Sequence, residues 1–447
     1  MRPDGLYPRL LDFATRRAIE PTIGAPYLSL AVWLRDFEGW PPARRHDWQN
    51  HQLEAVLAHA ARHVPFYRDL ASGGRIRLDS LPIVDKALMR SEADPFRSEL
   101  ALPSVVKRTG GTTGDPWVYE LDRQAWAHVY AASIRFWERV GCRYGERVAV
   151  LGTPPSLISG ANGWKGRLRR AVERRVYPST GIEVDHDASL SHAQAASASR
   201  AVLWYGYASM LAGMADAVSA EGLSLPGPRA IVTTSEPLLS EWRRRIEAAF
   251  GVPVFDQYGC NDGGVLAQTC PEGRFHVAEN VSLLEVVEGD TRCPPGVEGD
   301  LVVTNLHARV LPFLRYRVGD RAVLGDGTCL CGRSGVTLER IAGRTGDRLR
   351  LPGGTELSLP GLTTAFWEAP NVRRWQVVQP ELGLIRVRLE LEDGFDDAEA
   401  ARLAAALRKR CGDAVAIELV ADEPFERTAA GKLQVLISRV EEPCTRR

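Results

Sequence analysis

A glycine- and hydroxyl-rich stretch, Arg108-Thr-Gly-Gly-Thr-Thr-Gly-Asp-Pro116, could bind an anion. Glycines lack a Cβ, so their backbone N–H groups can approach a ligand closely, and threonine hydroxyls add further donors. This combination suits the phosphates of a nucleotide, although it is not a Walker A loop, because Asp115 follows Gly114 where that motif has lysine. The alternative is a flexible turn between two strands. The candidate phosphate-binding residues are Thr109, Gly110, Gly111, Thr112, Thr113 and Gly114.

Three cysteines and one histidine occupy two short segments, Cys270-x5-His276 and Cys329-x-Cys331. Three thiolates and one imidazole form a common structural zinc site, which is tetrahedral and closed. Because a closed site has no open position for a substrate, the predicted zinc ion is structural. The alternatives are buried free thiols, or Cys260 in place of one of these ligands.

The composition is that of an ordinary globular protein. The chain has 447 residues, enough for two or more domains of about 150 residues each. Its 56 basic and 56 acidic residues give a formal net charge of zero, so no overall field favours nucleic acid or an anionic membrane. Neither a signal peptide nor a long apolar run is visible, which predicts a cytoplasmic protein. Lysine is scarce and occurs at Lys86, Lys107, Lys165, Lys409 and Lys432.

Alternating strand and helix patterns must position these residues. Residues 52–63 and 124–140 have helical periodicity, and short apolar runs then alternate with helical stretches as far as residue 255. This alternation predicts an α/β fold with parallel sheets flanked by helices. From residue 280 the sequence becomes β-rich, and a small α+β unit follows. We therefore expect a large domain over residues 1–345 and a small, mobile C-terminal domain over residues 346–447.

Five further motifs follow the glycine-rich stretch in order. Each combines a turn with a carboxylate, an aromatic ring or a lysine. They are Ser235-Glu-Pro237, Tyr258-Gly-Cys-Asn-Asp-Gly-Gly264, Arg315-Tyr-Arg-Val-Gly-Asp320, Gly343-Arg-Thr-Gly-Asp-Arg348 and Glu426-Arg-Thr-Ala-Ala-Gly-Lys-Leu-Gln434.

This ordered series resembles the adenylate-forming acyl ligases, and within them the phenylacetate–CoA ligase branch. The segment His63-Val-Pro-Phe-Tyr-Arg68 matches the N-terminal region of that branch, so the resemblance runs from about residue 50 to about residue 440. It implies ATP-dependent conversion of a carboxylic acid to an acyl adenylate with release of pyrophosphate. Transfer of the acyl group to CoA would follow. Some relatives in this branch are similar in having a zinc ion in the corresponding region.

The resemblance also implies a role for each motif. The Thr109–Gly114 loop would hold the β- and γ-phosphates. Lys432, Asp262 and Thr113 would be catalytic, with Lys432 approaching the α-phosphate and the substrate carboxylate. The other nucleotide-binding positions would be Ser235, Glu236, Pro237, Tyr258 and Gly259 for adenine, and Asp320 and Arg344 for ribose.

Two positions depart from the family pattern. Asp262 stands where the family has a glutamate that binds Mg²⁺; it keeps a hard oxygen ligand but is one methylene shorter, which favours a bridging water or a shifted ion. The hinge position is usually acidic, whereas this chain has Gly346 followed by Asp347. Glycine permits a large change in φ and ψ, so rotation of the small domain is still expected.

Other interpretations stay open at this point. Asp320 could be a turn residue, Tyr258 a core aromatic and Lys432 a solvated surface charge. The acceptor could be an amine or a carrier-protein thiol rather than CoA, and homodimerisation is also open. A non-catalytic, zinc-stabilised nucleotide-binding or assembly protein is a further alternative, which the presence of Lys432 disfavours. An aryl or arylacetic substrate is suggested by aromatic candidates for the acyl pocket, which with Cys260 are Trp126, Tyr130, Tyr205 and Tyr207.

Overall fold

The structure is a computed structural model. It describes residues 6–71, 73–108, 117–152, 173–178, 186–344, 348–352, 356–358, 362, 364–412, 414–421, 423–427 and 433–440. Several predicted site residues lie outside the described part: the Thr109–Gly114 loop, the Gly346–Asp347 hinge, Lys432 and the side chain of Arg344.

The chain begins with helices, as the sequence predicts. The fourth of them ends at His63, because Pro65 disfavours a helical conformation at Val64, which is extended (φ −121°, ψ 113°). The helices of this region are α1 (Leu6–Ala14), α2 (Glu20–Ile23), α3 (Tyr27–Glu38), α4 (Pro42–His63), α5 (Pro65–Asp69), α6 (Lys86–Ser91) and α7 (Ala93–Phe96), with a π-helical turn over Thr15–Ile19 and a 3-10 turn over Leu78–Ser80.

A short hairpin brackets the glycine-rich stretch. Strands β2 (Ser104–Arg108) and β3 (Val118–Asp122) are antiparallel, and Arg108 pairs with Val118. Since these residues flank positions 109–116, the hairpin fixes where that loop leaves and re-enters the domain. In sequence, strand β1 (Val84–Asp85) precedes the hairpin, and the amphipathic helix α8 (Arg123–Arg139) follows it.

The predicted α/β alternation is present. Five strands form a parallel array in the order β8-β7-β6-β4-β5. Their residues are mostly buried, as expected when helices cover both faces. These strands are β4 (Val148–Leu151), β5 (Arg175–Val176), β6 (Leu203–Tyr207), β7 (Ala230–Thr234) and β8 (Val254–Gly259), and the described helices between them are α9 (His186–Ala198), α10 (Ala208–Ala220) and α11 (Ser240–Phe250).

The β-rich portion continues this same sheet. Strand β8 pairs antiparallel with the next strand, β9 (Leu266–Thr269), and antiparallel strands extend the sheet from there. The order of the thirteen described strands is β12-β11-β13-β14-β15-β10-β9-β8-β7-β6-β4-β5, with β1 parallel to β14. The added strands are β10 (Phe275–Val277), β11 (Ser282–Glu288), β12 (Thr291–Arg292), β13 (Glu298–Asn305), β14 (Tyr316–Leu324) and β15 (Thr337–Arg344).

The chain divides into two compact units. The first comprises residues 1–318 and 323–340, and the second comprises residues 319–322 and 341–447. This division lies close to the predicted boundary at residue 345, and the assignment of functional domains on either side of that boundary remains a prediction.

The second unit is a small α+β body. Its four-stranded sheet has the order β20-β19-β18-β21. Helix α12 (Asp397–Cys411) is capped at its N-terminus by Asp396, whose carboxylate accepts from the backbone N–H of Glu399. The strands are β16 (Arg348–Arg350), β17 (Glu356–Ser358), β18 (Val372–Glu381), β19 (Leu384–Leu391), β20 (Ala416–Ala421) and β21 (Leu436–Ser438), with a 3-10 turn over Thr364–Glu368.

Among the described residues, no helix combines the length and apolar character that crossing a membrane requires.

Candidate active site

The turn that joins β8 to β9 is built so that only glycine fits at two positions. Gly263 and Gly264 have φ values of +84° and +75°. A Cβ on Gly263 would lie 2.5 Å from Val303 Cγ2, and one on Gly264 would lie 2.5 Å from Asn305 Nδ2. Asn305 also donates from Nδ2 to the Gly263 carbonyl at 3.0 Å. The turn is therefore packed tightly against β13, which fixes the preceding residues.

Asp262 is the residue that this turn positions. Its side chain is buried, and three groups contact the carboxylate. The Tyr316 hydroxyl donates to Oδ2 at 2.8 Å, the Cys260 thiol donates to Oδ1 at 3.2 Å, and Lys86 Nζ lies 3.5 Å from Oδ2. Burial and the nearby Asp262 charge raise the pKa of Tyr316 above its ordinary value, so this phenol is a neutral donor at physiological pH.

The two carboxylate oxygens are not equivalent. Oδ2 contacts a phenol and an ammonium group, whereas the hydrogen-bond donor to Oδ1 is a thiol, which is a weak donor. A hard cation that binds Oδ1 would therefore displace only a weak hydrogen bond. A second phenol supports the turn, because Tyr119 donates to the carbonyl of Asn261 at 2.5 Å.

Lys86 and Tyr316 were not identified as site residues from the sequence. Strand β1 runs parallel to β14 and pairs Val84 with Tyr316, which brings Lys86 beside the phenol. Helix α6 begins at Lys86 and is capped by Asp85, whose Oδ1 accepts from Leu88 N at 2.9 Å. The scarcity of lysine was the signal that could have drawn attention to Lys86.

The predicted adenine-binding motif follows β7. Ser235 has a positive φ of 68°, which is uncommon for a residue other than glycine and is frequent at functional sites. Glu236 is buried, and its Oε2 accepts from the backbone N–H of Ser209 in the first turn of α10 at 2.9 Å. Glu236 thus anchors the motif to a helix N-terminus, which orients the backbone of residues 235–237.

The remaining described positions lie on strands. Tyr258 and Gly259 are at the end of β8 and pair with Ala267 and Leu266 of β9. Asp320 lies in β14 and is buried. The structure brings Tyr258, Gly259 and Asp262 together on one hairpin, whereas the roles predicted for them and for Asp320 remain predictions.

The residues around Lys432 are held by a buried glutamine of the second unit. Arg427 and Leu433 form an isolated antiparallel β-bridge, so they bracket residues 428–432. Gln376, on β18, donates from Nε2 to the carbonyls of Glu426 and Gln434 at 2.9 and 2.7 Å. Its Oε1 accepts from Glu426 N at 3.0 Å. Gln376 is therefore hydrogen-bonded to Glu426 and Gln434, which lie on either side of Lys432 in sequence.

The predicted cysteine and histidine ligands converge. One ligand atom from each of the four residues lies within 4.8 Å of the others. The Sγ atoms of Cys270 and Cys329 are 3.6 Å apart, and Cys331 Sγ is 3.3 Å from His276 Nε2. Cys260 contacts Asp262 instead and is not one of the four residues of this cluster. Zn–S bonds of about 2.3 Å and Zn–N bonds of about 2.0 Å place tetrahedral ligands about 3.3–3.8 Å apart, which both distances fit.

Three of the aromatic acyl-pocket candidates have a packing role. Trp126 and Tyr130 stack with ring centroids 5.2 Å apart, and both pack on the buried Tyr27 of α3. Tyr205 packs on Trp137 with centroids 5.4 Å apart. These contacts support the core-packing alternative for all three rings.

Comparisons with known proteins agree with the motif series. A family model described as the CapK C-terminal domain matches residues 350–439. The phenylacetate–coenzyme A ligase of Thermus thermophilus is 29% identical over 347 residues, covering 72% of this chain and 75% of that protein. The phenylacetate–coenzyme A ligase of Pseudomonas putida is 28% identical over 330 residues, covering 68% and 72%.

A solved structure shares the fold. The 2-hydroxyisobutyryl-CoA ligase, crystallised in the postadenylation state in complex with R3-HIB-AMP, matches with a TM-score of 0.71 at 20% identity, covering 89% of this chain and 90% of that one. The predicted fold class and the resemblance to the phenylacetate–CoA ligase branch are thus confirmed.

The glycine turn leads to a stability prediction. Gly263→Ala should lower the free energy of unfolding by about 2–4 kcal/mol, because it adds a clash with Val303 to the strain of a positive φ. Gly289→Ala is the matched control: its φ is +62° with open space around it, so only about 1–2 kcal/mol should be lost. Urea unfolding of both variants measures the difference. Equal losses would show that the turn can relax away from β13.

Proposed function

We propose that this chain, a relative of the phenylacetate–coenzyme A ligases, activates a carboxylic acid with ATP and passes the acyl group to CoA. In the first step a substrate carboxylate oxygen forms a bond to the α-phosphorus, and the bond to the β-phosphate oxygen breaks, releasing pyrophosphate. In the second step the CoA sulfur, after losing its proton, bonds to the acyl carbon and AMP leaves. Both steps depend mainly on positioning and on neutralising developing charge.

The observation that carries the proposal is the assembly around Asp262. Asp262 is a buried carboxylate that follows a strand of an α/β sheet, and one of its oxygens accepts only a weak hydrogen bond from a thiol. These properties suit a Mg²⁺ ligand. When bound, Mg²⁺ would neutralise phosphate charge during adenylation. Tyr316 and Lys86 would hold the carboxylate in place from the other oxygen, and Lys86 would offset its charge before nucleotide binds.

The nucleotide contacts follow from the same arrangement. The hairpin of β2 and β3 would present Thr109, Gly110, Gly111, Thr112, Thr113 and Gly114 to the β- and γ-phosphates. The backbone of Ser235–Pro237, anchored through Glu236, would hold adenine together with Tyr258 and Gly259. Asp320 and Arg344 would bind the ribose hydroxyls, since a carboxylate can accept from both and arginine donates in a fixed fork.

Lys432 would act in the first step only. Its ammonium group would neutralise charge on the α-phosphate and the attacking carboxylate, and Gln376 would position its segment. Movement of the C-terminal part of the chain beyond residue 347 would then give the thiol access to the same carbonyl. Gly346 and Asp347 are the proposed hinge, because a few inter-element residues commonly absorb such a change.

An aryl or arylacetic acid is the proposed substrate class. The names of the two curated relatives specify phenylacetate and coenzyme A, and both relatives match over more than two thirds of their length. A cytoplasmic location accords with this substrate and acceptor.

We also propose one structural zinc ion per chain, bound by Cys270, His276, Cys329 and Cys331. The four donors are soft or borderline ligands, and their spacing fits a closed tetrahedron. The ion would tie the turn after β9 and strand β10 to the loop before β15, so its binding free energy would contribute to folding.

The function is tested by product analysis with a panel of aryl, arylacetic and aliphatic acids. With ATP, Mg²⁺ and CoA, the wild-type chain should form AMP, pyrophosphate and an acyl-CoA of the expected mass with at least one acid. Lys432→Ala should lower the adenylation rate about 10²–10³-fold, as is typical when one electrostatic contact to a transition state is lost. Its use of a supplied acyl adenylate in thioester formation should be largely unchanged.

Lys409→Ala is the matched control, because Lys409 lies in the last turn of α12, and its activity should match the wild type. ADP and phosphate as products, or no acid-dependent pyrophosphate with any member of the panel, would contradict the proposed function. An acyl adenylate that forms but is passed only to an amine would correct the acceptor.

The zinc site is tested by metal analysis of protein purified without chelator. We expect about one zinc per wild-type chain and a large loss of zinc and of thermal stability in Cys331→Ser, because a closed site loses one of four ligands. Cys142→Ala is the control: this cysteine is buried in a separate apolar cluster, so its zinc content should match the wild type. Less than about a tenth of an equivalent in the wild type would refute the site.

A further inference from the structure

A cavity of about 50 Å³ lies in the first unit, among residues that the proposed function does not use for the nucleotide or the acid. Four parts of the chain line it: α3 with the start of α4, α8, the segment from β10 to Asn280, and residues 333–336. Helices and loops that are distant in sequence thus enclose one small space.

The charges that line the cavity do not balance. Four arginines face two glutamates, Glu38 and Glu279. The arginines are Arg45, Arg135, Arg139 and Arg333. Glu138, which does not line the cavity, offsets one of these charges by pairing with Arg135, so the remaining arginines carry the positive excess. Such an excess in a confined space is costly unless an anion offsets it.

The two glutamates are already paired. Glu38 accepts from Arg135 Nε and Nη2 at 3.1 and 2.7 Å, and it also pairs with Arg139 Nη2 at 3.0 Å. Glu279 lies 3.5 Å from Arg45 Nε. Arg45 is only 4% exposed and donates from Nη2 to Ser334 Oγ at 3.0 Å.

Arg139 has donors left over. Its Nε and Nη1 atoms are buried and have no hydrogen-bond partner among the described residues. Burial lowers the pKa of Arg139, and the charges of Arg333 and Arg135 lower it further, against the opposing effect of Glu38. A buried guanidinium with unsatisfied N–H groups requires an explanation, and a bound ion is one of the standard ones.

We propose that this cavity binds a small tetrahedral oxyanion, a phosphate-type group held by Arg139, Arg333 and Arg45. One water needs about 10–15 Å³ of such a volume, so about 50 Å³ accommodates an ion of a few heavy atoms and not a whole nucleotide. Guanidinium forks match the oxygens of phosphate, and the Ser334 hydroxyl is a further polar group at the wall.

Among the described residues, the cavity is lined only by residues of the first unit, and Asp262 is not one of them, so the site is separate from the proposed magnesium ligand. It adjoins the metal-ligand cluster: His276 lines the cavity, and Arg333 is two residues beyond Cys331. Oxyanion binding here would join α3, α4 and α8 to the loop that carries two of the four thiol and imidazole ligands.

Equilibrium dialysis with radiolabelled orthophosphate tests the proposal at constant ionic strength on the full chain. Arg139→Met and Arg333→Met should each weaken saturable phosphate binding about 10- to 100-fold, the range expected for loss of a charge-assisted hydrogen bond. Arg68→Met is the matched control, since its exposed ion pair with Glu99 lies elsewhere and its phosphate binding should equal the wild type.

Competition experiments with two unlabelled anions distinguish the source of the oxyanion. Competition by sulfate alone would indicate a free inorganic ion, and competition by methyl phosphate as well would indicate the phosphate group of an ester; either result supports the site. Phosphate bound only by the nucleotide loop would be unaffected by both substitutions, and that result would overturn the proposal. An absence of saturable binding in the wild type would overturn it as well. Because Arg333 is only partly buried, we expect Arg333→Met to fold. It therefore tests the proposal even if Arg139→Met does not fold.

Discussion

The burial of the Asp262 carboxylate is the constraint on which the rest of the site depends. A charged carboxylate inside a protein is costly unless donors and cations surround it. Here Tyr316, Cys260 and Lys86 supply them, and they come from β14, from the turn after β8 and from the start of α6. These elements must meet at one point, which explains why the short strand β1 pairs with β14 although more than two hundred residues separate them.

The continuous sheet gives this point its rigidity. The hairpin of β8 and β9 joins the parallel, helix-covered half to the antiparallel half, and the Asp262 turn lies at that junction. Further along the antiparallel half, β10 carries His276, and β15 follows the loop with Cys329 and Cys331. The candidate catalytic turn and the metal-ligand cluster therefore belong to one sheet, so that a metal ion at the cluster would stabilise the same scaffold.

The sequence predicted what depends on local pattern. The strand–helix alternation up to residue 255 and the helix at residues 397–411 are recognisable from periodicity, and the cluster of three thiols and one imidazole from their close spacing. The continuity of the two β regions was missed, because pairing partners cannot be read from the strands themselves. Lys86, Tyr316 and Gln376 were missed for the same reason: each acts through a contact between segments far apart in sequence.

The most direct test of this account is the Mg²⁺ dependence of acid-dependent pyrophosphate–ATP exchange in Asp262→Asn. The amide keeps the size and the acceptor for Tyr316 but removes the charge, so we predict exchange about 10²–10³-fold slower and a higher Mg²⁺ concentration at half-maximal rate. Asp326→Asn, at an exposed turn acid, should match the wild type in both respects. An unchanged rate with an unchanged Mg²⁺ requirement in Asp262→Asn would contradict the assignment of this buried carboxylate to catalysis.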